Sequence, residues 1–164
     1  MKRFRILAVT LSLLVFVAML VGCAGSETVS LFPDKNLEAA VRDALGKQAG
    51  EEITVAELAN LTTLSARNSD ITDLSGIEYC TNLTELDLSN NKISDISALS
   101  SLTNLSWLNL NDNLINNIWP LVKNSGLSAG DTVDLRDNPL SSISLNVYIP
   151  QLDARGVDVE WQPL

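Results

Sequence analysis

The 164-residue sequence contains no histidine. That absence excludes Ser-His-Asp and Cys-His nucleophilic catalysis, and with them any metal site built on imidazole. Basic residues are scarce: 11 Lys and Arg stand against 20 Asp and Glu, for a formal charge of -9. A surface of that sign repels phosphate backbones, so no nucleic-acid partner is expected. Eight Gly and five Pro are too few for a collagen-like or linker-rich chain, and 46% hydrophobic residues are too many for general disorder. There is no glycine-rich phosphate loop and no His/Cys cluster, so no cofactor and no bound metal are expected. Aromatics make up 5% and cysteines number two, Cys23 and Cys80. The length suits one domain with a real core.

The chain opens on a short cationic stretch, Met1-Lys2-Arg3-Phe4-Arg5, followed by an apolar run from Ile6 to Val21 broken only by Thr10 and Ser12. Crossing a bilayer takes about 20 helical residues, so this run is short for a permanent anchor and suits a secretory leader. Leu20-Val21-Gly22-Cys23 then resembles the bacterial lipobox, in which small residues precede a cysteine that is lipidated on sulfur. The resemblance implies cleavage after Gly22 and lipid attachment at Cys23. The other reading of these residues is an ordinary cleaved signal or an uncleaved anchor with a coincidental cysteine. Cleavage removes Lys2, Arg3 and Arg5 and takes the charge from -9 to -12. Ala24 follows the cysteine, where enteric-type lipoproteins kept at the inner membrane commonly carry Asp. The resemblance thus implies a cell-envelope location, exported and lipid-anchored, at the outer membrane if the host is diderm.

Beyond the leader the sequence repeats itself with a period of 22 residues. Leu64, Leu86 and Leu108 open successive units; Ile71, Ile93 and Ile115 align, as do Asp73, Asp95 and Asn117, then Leu74, Ile96 and Ile118, then Ile77, Leu99 and Leu121. Cys80 aligns with Leu102, which predicts a buried, structural cysteine. Asn91, Asn113 and Asn138 share a column with Ser69. A fourth unit begins at Val133 after three extra residues around Asn124–Gly130; it keeps Leu135, Leu140 and Ile143, and Val157-Asp158-Val159 closes the series. The three Asn-x-Ser/Thr sequons, at Asn60, Asn82 and Asn104, largely restate the repeat's own Thr-Asn-Leu and are not read as glycosylation sites.

The unit from Leu86 to Leu105 resembles the 22-residue leucine-rich repeat of bacterial internalin-type proteins. The resemblance implies an α/β repeat fold: a short solenoid with a parallel β-sheet on its concave face, inward Leu-x-Leu, and an asparagine column bonding neighbouring coils. A solenoid needs closed ends. Asp34 can cap a helix whose Leu37, Ala40, Val41, Ala44 and Leu45 share a face, with Gly46 stopping it. Thr54-Val55-Ala56-Glu57 reads as a capping box. The organisation expected is leader 1–22, lipidated tether 23–30, helical amino-terminal cap 31–60, repeats 61–145 and carboxy-terminal cap 146–164.

Strand alternation turns the residues between the core leucines outward. The candidate ligand-binding set is Trp107 on the central strand with Asp87, Asn109, Asp134, Glu85, Arg136 and Arg67 around it. An exposed Trp in such a groove is a binding anchor; the alternative is that its ring lies over neighbouring side chains and patches the face. Trp119 reads as packing or a surface patch, and Trp161 as part of the cap. Five strands at about 4.8 Å make a face some 20–25 Å across, smaller than one side of a standard protein interface. A carboxylate pair on an open strand face lacks the burial that separates an acid from a base, so no enzyme is expected. No EF-hand-like loop is present for Ca²⁺. The expected function is non-catalytic binding of a protein or peptide, cationic to match Asp87 and its acidic neighbours, by a monomer touching the membrane through its lipid alone. The competing expectation is a structural or self-associating surface lipoprotein without a discrete ligand.

Overall fold

The computed structural model describes residues 31–162. The leader, the lipidation expected at Cys23 and the tether to Ser30 lie outside the described residues.

Five three-residue strands, β1 (Thr63–Ser65), β2 (Glu85–Asp87), β3 (Trp107–Asn109), β4 (Thr132–Asp134) and β5 (Asp158–Glu160), form one parallel sheet in chain order. The register is the repeat itself. Leu64 pairs with Leu86, Leu86 with Leu108 and Leu108 with Val133. All four are buried, because alternation sends this row inward while its neighbours face out. Behind it Ala66, Leu88, Leu110 and Leu135 form a second buried row, followed by Ile71, Ile93 and Ile115 and by Leu74, Ile96 and Ile118. The convex side is made by 3-10 turns at Ile77–Tyr79 and Ser97–Ser101 and by helix α3 (Trp119–Lys123). Cys80 is buried without a disulfide partner among the described residues, and burial pushes its thiol up to about 12.

The asparagine column joins the coils. Asn113 is buried; its Oδ1 accepts from Ile93 N at 3.0 Å, and its Nδ2 donates to Leu88 O at 2.9 Å and Leu110 O at 3.1 Å. Asn91 serves Ile71 N, Ala66 O and Leu88 O, and Asn138 serves Ile115 N, Leu110 O and Leu135 O. A second column turns the chain out of each strand: Asn68, Asn90, Asp112 and Asp137 all have φ between 51° and 56°. Asn and Asp tolerate this left-handed conformation better than other side-chain-bearing residues.

The 22-residue phase persists to Leu127, which is buried in the column of Leu83 and Leu105. The three extra residues therefore fall after it, at Ser128-Ala129-Gly130. Asn124 is fully buried in the column of Cys80 and Leu102, where Nδ2 donates to Leu99 O and Leu102 O at 2.9 and 3.0 Å. Ile143 departs from the expected core column and is 53% exposed. Helical structure has already begun there, and fully buried Ser144 takes the interior place: its Oγ donates to Asn116 O at 2.8 Å and accepts from Ile118 N at 3.3 Å.

Helix α1 (Lys35–Leu45) and the short α2 (Val55–Leu58) close the amino-terminal end. Asp34 caps α1, accepting from Asn36 N at 2.9 Å and Leu37 N at 3.2 Å, while Gly46 ends it at φ 67°. Leu37 and Val41 are buried, but Ala44, expected on the same face, is exposed. The capping box is formed at Thr54, and Glu57 is lowered to about 2, first by its hydrogen bond with Lys47 and then by Thr54. At the other end a π-helical turn, Ser144–Tyr148, runs into α4 (Ile149–Asp153), which buries Ile149 and Leu152. Among the described residues the buried core runs from Phe32 to Val157 with both ends covered, so residues 31–162 close on themselves as one folding unit.

Candidate functional site

The concave face is a grid of side chains set by strand register. One row reads Thr63, Glu85, Trp107, Thr132, Asp158 and the next Ser65, Asp87, Asn109, Asp134, Glu160. A third, just beyond the strands, carries Arg67, Ser89, Asn111 and Arg136, bridged by bonds from Asn68 N to Ser89 O, Asn90 N to Asn111 O and Asp112 N to Arg136 O. Glu85, Asp87, Trp107, Asn109, Asp134, Arg136 and Arg67 therefore all stand on this one face, but they are not equivalent.

The middle row is engaged in holding the backbone. Asp87 Oδ1 accepts from Ser89 N, Asn109 Oδ1 from Asn111 N and Asp134 Oδ1 from Arg136 N, each at 3.0 Å. Each is an Asx turn that satisfies an N–H where the chain leaves the strand. Asp134 is committed further. It is only 9% exposed and takes Arg136 in a two-point pair, Nε to Oδ1 at 3.0 Å and Nη2 to Oδ2 at 2.5 Å. Arg136 also reaches Glu160 at 3.2 Å, and its charged form is favoured first by the bond to Asp134. At the carboxy-terminal part of the groove Arg136 is thus held between Asp134 and Glu160, and exposed Asp158 in the first row adds a third carboxylate. At the amino-terminal part the side chains of Glu85 and Arg67 make no hydrogen bond or ion pair among the described residues.

Trp107 stands between Glu85 and Thr132 in the register, its side chain 40% exposed. The one ring contact among the described residues is between Trp119 and Tyr148, with centroids 5.3 Å apart, so Trp107 stacks on no other aromatic. Trp119 itself lies exposed on the carboxy-terminal flank near exposed Ile143 and Val147, and Trp161 is 36% exposed.

The sequence reading missed a concavity beside the sheet. A cleft of about 550 Å³ opens where α1 passes the free side of β1, lined by Asn36, Ala39, Asp43 and Ala44 from the helix and Thr63 and Ser65 from the strand. Its signal was available: small residues at 36, 39, 40, 43 and 44 make a second stripe on α1, beside the stripe of Leu37 and Val41. Asp34 fixes the helix in that position, since its Oδ2 accepts from Thr72 N at 2.8 Å and Asp73 N at 3.2 Å in the first coil. Burial raises the Asp34 carboxyl, and the four backbone N–H bonds outweigh it and hold it below its ordinary 3.8. No group of three or more metal-ligating side chains occurs among the described residues.

Comparison with known proteins bears on the architecture. The family of Leucine Rich repeats (2 copies) matches residues 59–101 and 81–121. No curated protein matches the sequence. Among solved structures, an internalin from Listeria monocytogenes, InlF, superposes with a TM-score of 0.65 at 33% identity, covering 74% of this chain and 35% of that one. The functional domain of InlJ from the same organism gives 0.57 at 33% identity over 67% and 28%, and its internalin C2 gives 0.53 at 28% identity over 80% and 64%. The chain thus spans roughly a third of the length of the first two. Its fold is a short, capped leucine-rich-repeat solenoid similar to that of the Listeria internalins.

Proposed function

We propose that this protein is an envelope-anchored, non-catalytic recognition module that binds a protein or peptide on the concave face of its repeats. On this reading the leader exports it, lipid at Cys23 holds it to a membrane, and the short tether to Ser30 presents the solenoid. The observation that carries the proposal is Trp107: an aromatic ring, 40% exposed and unstacked, on the central strand of an otherwise polar face. Trp concentrates binding energy because it buries a large area at little entropic cost. Glu85 and the outer oxygen of Asp87 beside it favour a cationic ligand. The test is capture from envelope extract by the domain, wild type beside Trp107→Ala, with melting curves of both. A partner held by wild type and lost by an equally stable mutant supports recognition; no partner at low or physiological salt removes it.

A second reading, self-association on the envelope, draws on a different observation. Leu114, Trp119, Ile143 and Val147 leave apolar surface exposed at the carboxy-terminal end, with Ile143 and Val147 one helical turn apart. Sedimentation of the domain across a concentration series decides it, since a monomer at high concentration is incompatible with this reading.

A further inference from the structure

The two ends of the concave face are built differently. Its carboxy-terminal part is filled by the Asp134–Arg136–Glu160 ion pairs. Its amino-terminal edge adjoins the open cleft between α1 and β1, where Ala, Ser and Thr leave space and present hydroxyls. The cleft, about 550 Å³ and open to solvent, has room for one long side chain. Asp43 is the titratable group in its wall, and it makes no side-chain hydrogen bond or ion pair among the described residues. Thr63 and Ser65, the strand side of the cleft, register directly with Glu85 and Asp87. Asp43 thus stands in the wall of the recess with Glu85 and Asp87 one strand away, and Arg67 is the cation of the row beyond. Asp43 and Ala44 also belong to the last turn of α1, where the helix dipole places partial negative charge.

From this geometry we infer that the α1–β1 cleft is the specificity pocket of the recognition face, seating a Lys or Arg side chain of an extended peptide segment whose next anchor lies over Trp107. The inference rests on the concave-face reading above and adds to it the site of the basic residue and the spacing of the two anchors. From β1 to β3 is two strand spacings, about 10 Å, and the cleft lies just outside β1. An extended peptide advances about 3.3 Å per residue, so a segment crossing the strands places its two anchors three to four residues apart. Small lining residues matter here because a long aliphatic stem needs unobstructed depth to bring its charge to Asp43.

The test selects peptides from a random displayed library on the domain of residues 31–162 and measures the affinity of an enriched synthetic peptide for three variants. Asp43→Lys reverses the cleft's charge at an exposed helix position that suits Lys; Ala39→Trp fills the cleft; Trp107→Ala removes the second anchor. The inference predicts enrichment of a basic residue three to four positions from an apolar or aromatic one. It also predicts a loss of tenfold or more for each variant at unchanged melting temperature, with wild-type binding weakening as salt rises. Peptides that depend on Trp107 yet bind Asp43→Lys and Ala39→Trp like wild type overturn the cleft and leave the concave-face reading standing. Peptides indifferent to all three variants, or no enrichment, overturn both.

Discussion

Asn113 shows how a single side chain sets the spacing of coils. It is 4% exposed and joins three segments of chain at once, so truncation leaves Ile93 N without a partner and two carbonyls under-satisfied inside the core. A buried unsatisfied group costs about 1–3 kcal/mol, and Asn113→Ala is expected to lose about 3 kcal/mol in urea unfolding. Asn91→Ala makes the same kind of break one coil earlier. Asp34 is the residue-scale device at the cap, where one carboxylate both starts α1 and clamps it to Thr72 and Asp73. Removing it as Asp34→Ala is expected to cost about 1–2 kcal/mol near neutral pH. Its folded pKa lies below the unfolded value of 3.8, so this stabilisation is present above that pH and disappears as pH falls through the folded value. Melting curves of wild type and Asp34→Ala should accordingly be well separated at pH 7 and converge below about pH 4. Curves that stay equally separated at acid pH would assign the loss to something other than the carboxylate.

At the scale of elements, what could be read in advance was whatever repeats. Leu-x-Leu, the Ile columns, the asparagine column and the Asx residues Asp73, Asp95 and Asn117 recur in phase, and each does one job in every coil. The Asx turns bond Ser75 N, Ser97 N and Trp119 N at 2.8, 2.8 and 2.9 Å. What escaped was whatever happens once. Ser144 replaces an apolar core residue because helical structure begins at Ser142, about a turn before the cap expected from 146. Asn124, standing where Cys80 and Leu102 stand, reads as loop in the sequence and is core in space. Gly126 marks the same crossing: a Cβ there would lie 1.9 Å from Thr103 O. Because the obstacle is backbone, Gly126→Ala is expected to lose about 1–3 kcal/mol, measured by thermal melting. Ser144→Ala should cost about 1–2 kcal/mol and raise amide exchange locally at Ile118, its lost donor. The cleft, too, was illegible in strand periodicity alone, since it depends on how α1 lies against β1, a relation set by Asp34 reaching a residue 38 positions away.

Taken whole, the molecule is a solenoid too short to tolerate loss of an end. Phe32, Leu37, Val41 and Leu58 belong to the same buried core as the first coil, and Leu152 and Val157 cover the last. Deleting residues 31–60 is therefore expected to yield an aggregating or unfolded chain, with loss of the cooperative transition in circular dichroism; a soluble, cooperatively melting fragment would show that the coils stand without their cap. The same brevity governs recognition. With a face only some 20–25 Å across, affinity has to come from a few well-placed anchors, and on the proposed reading these are Trp107 on the central strand, Glu85 beside it and the cleft at Asp43. The carboxy-terminal flank offers Trp119, Ile143 and Val147 instead. Oxidative footprinting of the three tryptophans, with and without the partner captured by the wild-type domain, separates these surfaces directly. The partner is expected to protect Trp107 and to leave Trp119 and Trp161 reacting as in the free domain; protection of Trp119 with Trp107 still open would put recognition on the carboxy-terminal flank instead.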